Sequence, residues 1–319
     1  MKILLADSFP ESHVNAIVEL GHTLTSNPTL DGDTLAEAIT DHEVLIVRST
    51  KVSAATLDQA SNLKLVIRAG AGTNTIDKTY AAEKGIRVCN VPGANSVAVA
   101  ELVMGLIIAI DRRIAENVMD LRNGIWNKKA YSKSQGLLGQ KIGIIGLGAI
   151  GLAVAERAKA FGMEIYAVAK PGRSESSLKR ISDTGIQQLE SQDQMLETCD
   201  IISVHLPYTP ETKGLIDDAF LAKMKPGAML INTSRGELVD EAALIRAMEE
   251  KGIRAGLDVY DSEPSSGEGT FSSAVAQHPQ VFGTHHIGAS TQQAQTAVAD
   301  GVIEVLNSFE KDELLFCVN

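Results

Sequence analysis

The chain has 319 residues, enough for one large domain or two of medium size and for a substantial buried core. Hydrophobic residues make up 44% and charged residues 22%, a globular composition that excludes disorder, collagen and coiled coil; the longest apolar run, 102–110, is far short of the roughly 20 residues that cross a membrane. A net charge of −11 repels phosphate backbones and anionic membranes, so neither nucleic acid nor a membrane is an expected partner, although a local basic pocket for a small anion is compatible with it.

MKILLAD meets Asp7 too soon for a secretory leader, so a cytoplasmic protein is expected. KILLA (2–6) precedes a helical ESHVNAIVELG, VLIV (44–47) precedes SAATLDQA, and LKLVIR (63–68) precedes TIDKTYAAEKG. IRVCN (86–90) leads into the loop VPGANS. Continuous apolar strands separated by helices predict a parallel sheet covered on both faces. One long helix is predicted over about 94–122, with Ser96 as its N-cap. Its first half, VAVAELVMGLIIAI, is apolar almost all round, which predicts burial at a domain seam or a subunit interface.

A second set begins near Lys141. KIGIIG reads as a buried strand ending in glycines, and GLAVAERAKAFG as a helix with Leu152, Ala155, Ala158 and Ala160 available to lie on a sheet. EIYAVA (164–169), DIISVHL (200–206), AMLINTS (228–234), IRAGLDVY (253–260) and VFGTHH (281–286) read as further strands. Pro226-Gly227 turns into one of them; Asp240 caps the helix DEAALIRAMEEKG, and Gly252 lies just past its end. Residues 262–273 are the most linker-like stretch and are expected to be mobile. The last helix starts after Ser290, and LLFCV (314–318) reads as a final strand returning to the first domain. The expected architecture is α/β with two domains, each a doubly wound parallel sheet. A Rossmann-type nucleotide domain covers 96–289, and a flavodoxin-like domain is built discontinuously from 1–95 and 290–319.

Gly146-Leu-Gly148-Ala-Ile-Gly151 is a G-x-G-x-x-G straight after a strand and opening a helix. Gly146 allows the tight turn, Gly148 lets the backbone approach a pyrophosphate, and Gly151 lets the helix pack closely. The helix start offers free N–H groups and a positive dipole end. The next strand ends without the acid that would bind an adenosine ribose; Lys170 and Arg173 stand there instead. Both cations attract a 2′-phosphate, so NADP is expected to be at least tolerated; if they are merely solvated, NAD binds through its pyrophosphate alone. The three cysteines, Cys89, Cys199 and Cys317, show no C-x-x-C pairing and read as buried small hydrophobes, so neither a disulfide framework nor a metal site is expected.

Three segments follow at predicted strand ends: Asn232-Thr233-Ser234-Arg235-Gly236, Asp258-Val259-Tyr260-Asp261-Ser262-Glu263-Pro264 and His285-His286-Ile287-Gly288-Ala289-Ser290. Together with the glycine fingerprint they resemble the D-2-hydroxyacid dehydrogenase family over essentially the whole chain. Within it, VRST (47–50), IRAGAGTNTID (67–77), NVPGANS (90–96) and GLLGQKIGIIGLGAIG (136–151) are most similar to the D-3-phosphoglycerate dehydrogenase branch, in a short form with no room for a C-terminal regulatory domain.

Reduction of a 2-oxo acid needs a cation for the carboxylate and carbonyl, an acid for the forming alkoxide, and a group that keeps that acid charged. Arg235 suits the first role through its planar fork, His286 the second because imidazole titrates near working pH, and Glu263 the third by raising the imidazole pKa. The resemblance implies the same catalytic trio. The family usually has proline before the catalytic histidine, where this chain has His285. On a strand only one of two adjacent side chains can face the substrate, and His286 is the choice because Ile-Gly-Ala-Ser follows it.

The resemblance further implies cofactor contacts from Ala149 and Ile150 to the pyrophosphate, and from Leu206 and Pro207 beside the adenosine. It implies contacts from Thr233 and Ser234 near the nicotinamide ribose, from Asp258 to the carboxamide, and from Gly288, Ala289 and Ala71. A structural role for Asp258 stays open. The substrate domain of the family binds a carboxylate through the loop holding Gly70, Ala71 and Gly72, and Arg48 and Arg68 are candidates for a substrate phosphate or for structural ion pairs. Lys128 and Lys129, after Trp126, add charge from a partner subunit or are solvated.

These features imply an NAD- or NADP-dependent oxidoreductase acting on a small anionic 2-hydroxy or 2-oxo acid. The leading pair is 3-phosphoglycerate and 3-phosphohydroxypyruvate, in serine biosynthesis. A glyoxylate or hydroxypyruvate reductase is the alternative, and a nucleotide-sensing corepressor the remote one. A homodimer formed mainly through the nucleotide domain is expected, with domain closure about hinges near 95 and 289.

Overall fold

The computed structural model describes residues 1–264 and 268–319. The chain forms two compact units: Met1–Asn95 together with Ala289–Asn319, and Ser96–Gly288.

In the first unit, β1 (Lys2–Leu5), β2 (Thr23–Ser26), β3 (Val44–Val47), β4 (Leu65–Arg68) and β5 (Arg87–Asn90) form one parallel sheet in the order β2-β1-β3-β4-β5. Side chains of successive residues leave a strand on opposite faces, so an apolar run feeds two cores at once. Leu4, Leu45, Val66 and Val88 join Leu35, Ile39 and Leu57 on one face. Ile3, Leu5, Ile46, Ile67 and Cys89 join Ile17, Val302, Val305 and Leu306 on the other. Each such side chain contributes about 1.5–3 kcal/mol when fully buried. Ile17 comes from α1 (Glu11–Glu19), and α2 (Leu35–Ala38), α3 (Ala54–Gln59) and α4 (Lys78–Glu83) complete the connections.

The second unit opens with α5 (Ser96–Arg112) and α6 (Ile114–Arg122). The single helix expected over 94–122 is broken at Arg113, which is left-handed with φ 51°. Just before the break, the buried Asp111 accepts N–H groups of Gln135 at 3.0 Å and Gly136 at 3.2 Å, which anchors the returning chain. Ser96 is the first helical residue rather than the cap, and Val97 is exposed, so α5 is buried on one broad face only.

Seven parallel strands follow: β6 (Lys141–Ile145), β7 (Glu164–Val168), β8 (Gln187–Leu189), β9 (Ile201–Val204), β10 (Met229–Asn232), β11 (Arg254–Leu257) and β12 (Val281–Gly283), in the order β12-β11-β10-β9-β6-β7-β8. The connections are α7 (Ala149–Ala160), α8 (Glu175–Thr184), α9 (Gln192–Thr198), α10 (Asp218–Lys223) and α11 (Glu241–Lys251). α11 has the expected caps, Asp240 accepting from Ala243 N–H and Gly252 at φ 67°. Both units are therefore doubly wound parallel α/β sheets. Strand order reverses between β6 and β9, and ligands of such sheets bind beyond the strand C-termini at that switch point.

Several sequence expectations are corrected. Ala160 is exposed; Leu152, Ala153, Val154, Ala155 and Ala158 are buried, because Ala160 lies two residues past Ala158 and faces away. β12 ends at Gly283, so His285 and His286 lie in a turn and not on a strand. The final helix, α12 (Gln292–Glu310), is capped by Thr291. The tail 314–318 makes a single antiparallel bridge, at Cys317, rather than a strand. Within 262–273, residues 265–267 lie outside the described residues; beyond them Phe271 packs on Tyr260 and Ser273 is buried, so that end is anchored. Ala289 falls in the first unit.

Candidate active site

Two glycines, Gly146 and Gly148, lie between β6 and α7, and Gly151 stands in the first turn of α7. Gly146 has φ 99°, and a Cβ there would strike the His205 carbonyl; a Cβ on Gly151 would strike the Gly146 carbonyl. A Cβ on Gly148 would meet no atom within 4 Å, so the ground in front of it is open. Gly148 caps α7 with no side-chain acceptor, leaving the start of a 12-residue helix to an outside anion. The half-buried Leu206 lies against Gly146, Pro207 beyond it is exposed, and Ala149 and Ile150 form the first helical residues. The His205 ring is held by Ser203 Oγ at 2.8 Å; burial pushes its pKa down to about 4, so this wall is uncharged at neutral pH.

Past β7, Lys170 is exposed and Arg173 half-buried, with Arg173 Nη1 buried and unpaired. Thr233 Oγ1, after β10, is likewise buried without a hydrogen-bond partner. An open glycine cradle, an uncapped helix start and these unused donors suit a dinucleotide with ribose hydroxyls and phosphates.

The fully buried Asn232 ends β10 and builds the next turn. Its Oδ1 accepts from Ser234 N–H at 3.0 Å and Ser234 Oγ at 2.7 Å, and its Nδ2 donates to the Arg235 carbonyl at 2.8 Å. Arg235 is half-buried, and its Nη1 donates to the Ser234 carbonyl at 2.6 Å. A Cβ on the following Gly236 would strike the Tyr260–Asp261 backbone, so this glycine lets the Arg235 turn close against the chain leading to Glu263.

Glu263 accepts the Tyr260 N–H on Oε1 at 2.9 Å, and its Oε2 lies 2.7 Å from His286 Nδ1. Burial raises the Glu263 pKa, but the hydrogen bonds from His286 and Tyr260 and the charges of His286 and Arg235 outweigh it and hold the carboxyl below its ordinary value. The hydrogen bond to Glu263 raises the His286 pKa above the usual imidazole value against opposing desolvation, helped by the charges of Glu263 and Asp258 and opposed by that of Arg235. The ring keeps its other nitrogen for a ligand, and the side chain is 52% exposed. The turn brings His286, not His285, to Glu263. Asp258, 1% exposed, is satisfied by protein donors: Thr284 Oγ1 at 2.6 Å and the N–H groups of Ile287 at 2.9 Å and Gly288 at 2.8 Å.

The glycine turn, Lys170, Arg173, Thr233, Ser234, Arg235, Asp258, Glu263, His286 and Gly288 all belong to the second unit; Arg48, Arg68, Gly70, Ala71, Gly72 and Ala289 belong to the first. There, Asp7 shapes the turn after β3 by accepting N–H groups of Arg48 at 2.6 Å and of Ser49 and Thr50 at 3.2 Å. Gly70 has φ 136°, and the Arg68 guanidinium fills the place of its missing Cβ. Asn90 Nδ2 donates to the Ala71 carbonyl at 2.6 Å, and Val91 N–H to the Gly70 carbonyl at 2.9 Å. Asn232 and Tyr260 stand in the quoted motifs without a role, and Asn90 and Thr284 carry none from the sequence either. The signal for the two asparagines is a polar residue closing an apolar strand, as in RVCN and MLIN.

Residues 104–288 match the family description "D-isomer specific 2-hydroxyacid dehydrogenase, NAD binding domain". A D-3-phosphoglycerate dehydrogenase of Methanocaldococcus jannaschii is 38% identical over 98% of this chain and 58% of its own length. A hydroxypyruvate reductase of Thermotoga maritima is 42% identical over 86% of this chain and 87% of its own. Among solved structures, an acyclic imino acid reductase in complex with NADPH and D-Arg superposes with a TM-score of 0.87 at 27% identity, covering both chains fully. The chain spans little more than half the length of the phosphoglycerate dehydrogenases it matches. On the matched domain and the Thermotoga relative, the chain belongs to the D-isomer specific 2-hydroxyacid dehydrogenase family.

Proposed function

We propose that this protein is an NAD(P)-dependent oxidoreductase that interconverts a D-2-hydroxy acid and its 2-oxo acid. The observation that carries the reading is the 2.7 Å contact between His286 and Glu263, under the charge of Arg235. A dinucleotide held by its pyrophosphate at the glycine turn would supply or accept the hydride through its nicotinamide. Arg235 holds the substrate carboxylate and polarises the carbonyl. His286 gives its proton to the forming alkoxide oxygen, and in the other direction takes it from the hydroxyl. Glu263 keeps the imidazole charged and oriented. Thr233 offers its unused hydroxyl to the cofactor, with Ser234 beside it.

For substrate, the reading favours 3-phosphoglycerate and 3-phosphohydroxypyruvate, as in the phosphoglycerate dehydrogenase relatives. Arg68 ends β4 and Arg48 directly follows the neighbouring β3, and the two are the phosphate candidates, beside the loop of Gly70, Ala71 and Gly72. The Thermotoga hydroxypyruvate reductase, matched over most of its length, supports a second reading on hydroxypyruvate or glyoxylate. Phosphohydroxypyruvate, hydroxypyruvate, glyoxylate and 2-oxoglutarate, each assayed with NADH and NADPH, separate them. On the first reading, Arg48→Ala with Arg68→Ala raises KM for phosphohydroxypyruvate at least tenfold and leaves hydroxypyruvate nearly unchanged. Equal effects on both favour the second, and tight cofactor binding without turnover on any acid overturns both in favour of a sensing module. We place the protein in the cytoplasm as a homodimer, its three unpaired cysteines, of which Cys89 and Cys199 are buried, suiting a reducing compartment.

A further inference from the structure

The last residues of the chain lie along β5 in the first unit. Asn90 N–H donates to the Phe316 carbonyl at 3.1 Å, and Val318 N–H to the Val88 carbonyl at 2.8 Å. These bonds flank an antiparallel bridge that sets Cys89 opposite Cys317. The flanking residues make the bonds and the cysteines do not. This is the non-hydrogen-bonded pair of an antiparallel ladder, in which Cα atoms come to about 4.5 Å and facing side chains are close. Disulfides span Cα separations of roughly 4.4–6.8 Å. Side chains of an opposed pair leave the sheet on one face, and Cys89 and Cys317 belong to the same apolar cluster there, with the Cys317 thiol donating to the Asn319 carbonyl at 3.4 Å. Cys89 is 1% exposed while Cys317 is partly exposed, so reagents in solution meet one sulfur with the other directly behind it.

We propose that Cys89 and Cys317 are a redox modification site, closing to a reversible cross-strand disulfide that fastens the C-terminal segment to β5. The oxidant class is a low-molecular-weight disulfide. The Cys317 thiolate attacks one of its sulfurs, breaking that S–S bond and releasing one thiolate. Cys89 then gives its proton to solvent and attacks Cys317 Sγ, releasing the second thiolate. The protein loses two electrons and two protons, and the oxidant becomes two thiols. Burial, with the neighbouring Cys317, pushes the Cys89 thiol up to about 12, which makes Cys317 the first sulfur to react and Cys89 the resolving one. The bridge lies beside Asn90, whose side chain holds the Ala71 carbonyl, so it would stiffen the strand end beneath the glycine loop. This site stands independently of the substrate reading.

The test exposes the reduced full-length chain to glutathione disulfide, then counts free thiols after denaturation and maps non-reduced peptides. The expected result is a fall from three free thiols to one, with Cys89 and Cys317 peptides linked, Cys199 free, and dithiothreitol restoring all three. Cys317→Ser, on the partly exposed tail, is expected to leave Cys89 reduced under the same treatment. Persistence of all three thiols, or accumulation of glutathione on Cys317 with Cys89 still free, overturns the proposal.

Discussion

Asp258 holds His286 from behind. Its carbonyl accepts the His286 N–H at 2.8 Å, and its carboxylate takes the next two N–H groups, of Ile287 and Gly288. This clamp keeps His286 at φ 51°, a left-handed conformation that costs a non-glycine residue of order 1 kcal/mol. The turn aims the ring at Glu263. Asp258→Asn turns one of its acceptor oxygens into a donor facing a fixed N–H. The expected outcome is a loss in kcat of up to about 100-fold through misplacement of His286, with the Kd for NADH within twofold of the parent. A large rise in that Kd with kcat preserved would make Asp258 a cofactor contact instead.

The pH dependence follows from the direction of the His286 shift. Its pKa is raised, chiefly by the bond to Glu263, so the charged form persists above the usual imidazole range. Reduction of the oxo acid needs that form and is expected to decline as pH rises through the raised pKa; oxidation needs the neutral ring and rises over the same interval. Glu263→Gln removes the carboxylate charge, so both limbs move to lower pH. His286→Asn, which has no such proton to give, is expected to lose about 10²–10⁴ in kcat and with it the limb. Profiles of kcat for both directions in the parent and the two variants check this, and an unmoved limb in Glu263→Gln removes Glu263 from its role.

What the sequence shows and hides follows burial. VLIV, KIGII and IISV are apolar because both their faces are covered, and they were readable as strands. TLTS in β2 and QQL in β8 are edge strands with largely exposed side chains; they carry no apolar run and were missed. The break at Arg113 was hidden because local propensity continues through it and a tertiary bond to Asp111 decides it. At the site, Arg235, Glu263 and His286 were readable from motif order. The conformation that joins the last two was not, since it depends on Asp258 reaching forward to a turn mistaken for a strand.

Gly148 offers a clean test of the dinucleotide cradle. Its backbone lies at φ −77°, open to any L-residue, and an added Cβ meets no protein atom. Gly148→Ala is therefore expected to keep its Tm while weakening NADH, because the new methyl enters the ground that the proposed pyrophosphate site needs. Fluorescence titration with NADH beside a thermal melt reads both quantities. Unchanged affinity would move the phosphates elsewhere.

At the end of β7, the buried and unpaired Nη1 of Arg173 favours an anion, as does the lack of an acid between Ala169 and Ser174. Arg173→Ala with Lys170→Ala is expected to weaken NADPH by at least tenfold and NADH by less than twofold. Calorimetric Kd values for the two cofactors, and for 2′-AMP against 5′-AMP, give the answer without turnover. Equal losses would make the pair general phosphate contacts, and no loss would make them solvated.

The apolar helix expected to offer a dimer surface is largely buried within its own unit, and the exposed apolar surface lies instead in one short stretch further along the second unit. Met119, Leu121, Ile125 and Trp126 are all exposed, Trp126 at 81%. So much apolar surface in eight residues of chain, with an aromatic and a methionine, has the composition of an interface core. A second copy of the same chain is the proposed occupant. Trp126 is the sole tryptophan, so its emission reports burial directly. The expected result is a dimer by light scattering, with emission that shifts to the red on dilution into monomer. Leu121→Asp is expected to give the red-shifted monomer at all concentrations with its far-ultraviolet spectrum intact. A dimer that leaves Trp126 emission red at every concentration would place the contact on another face.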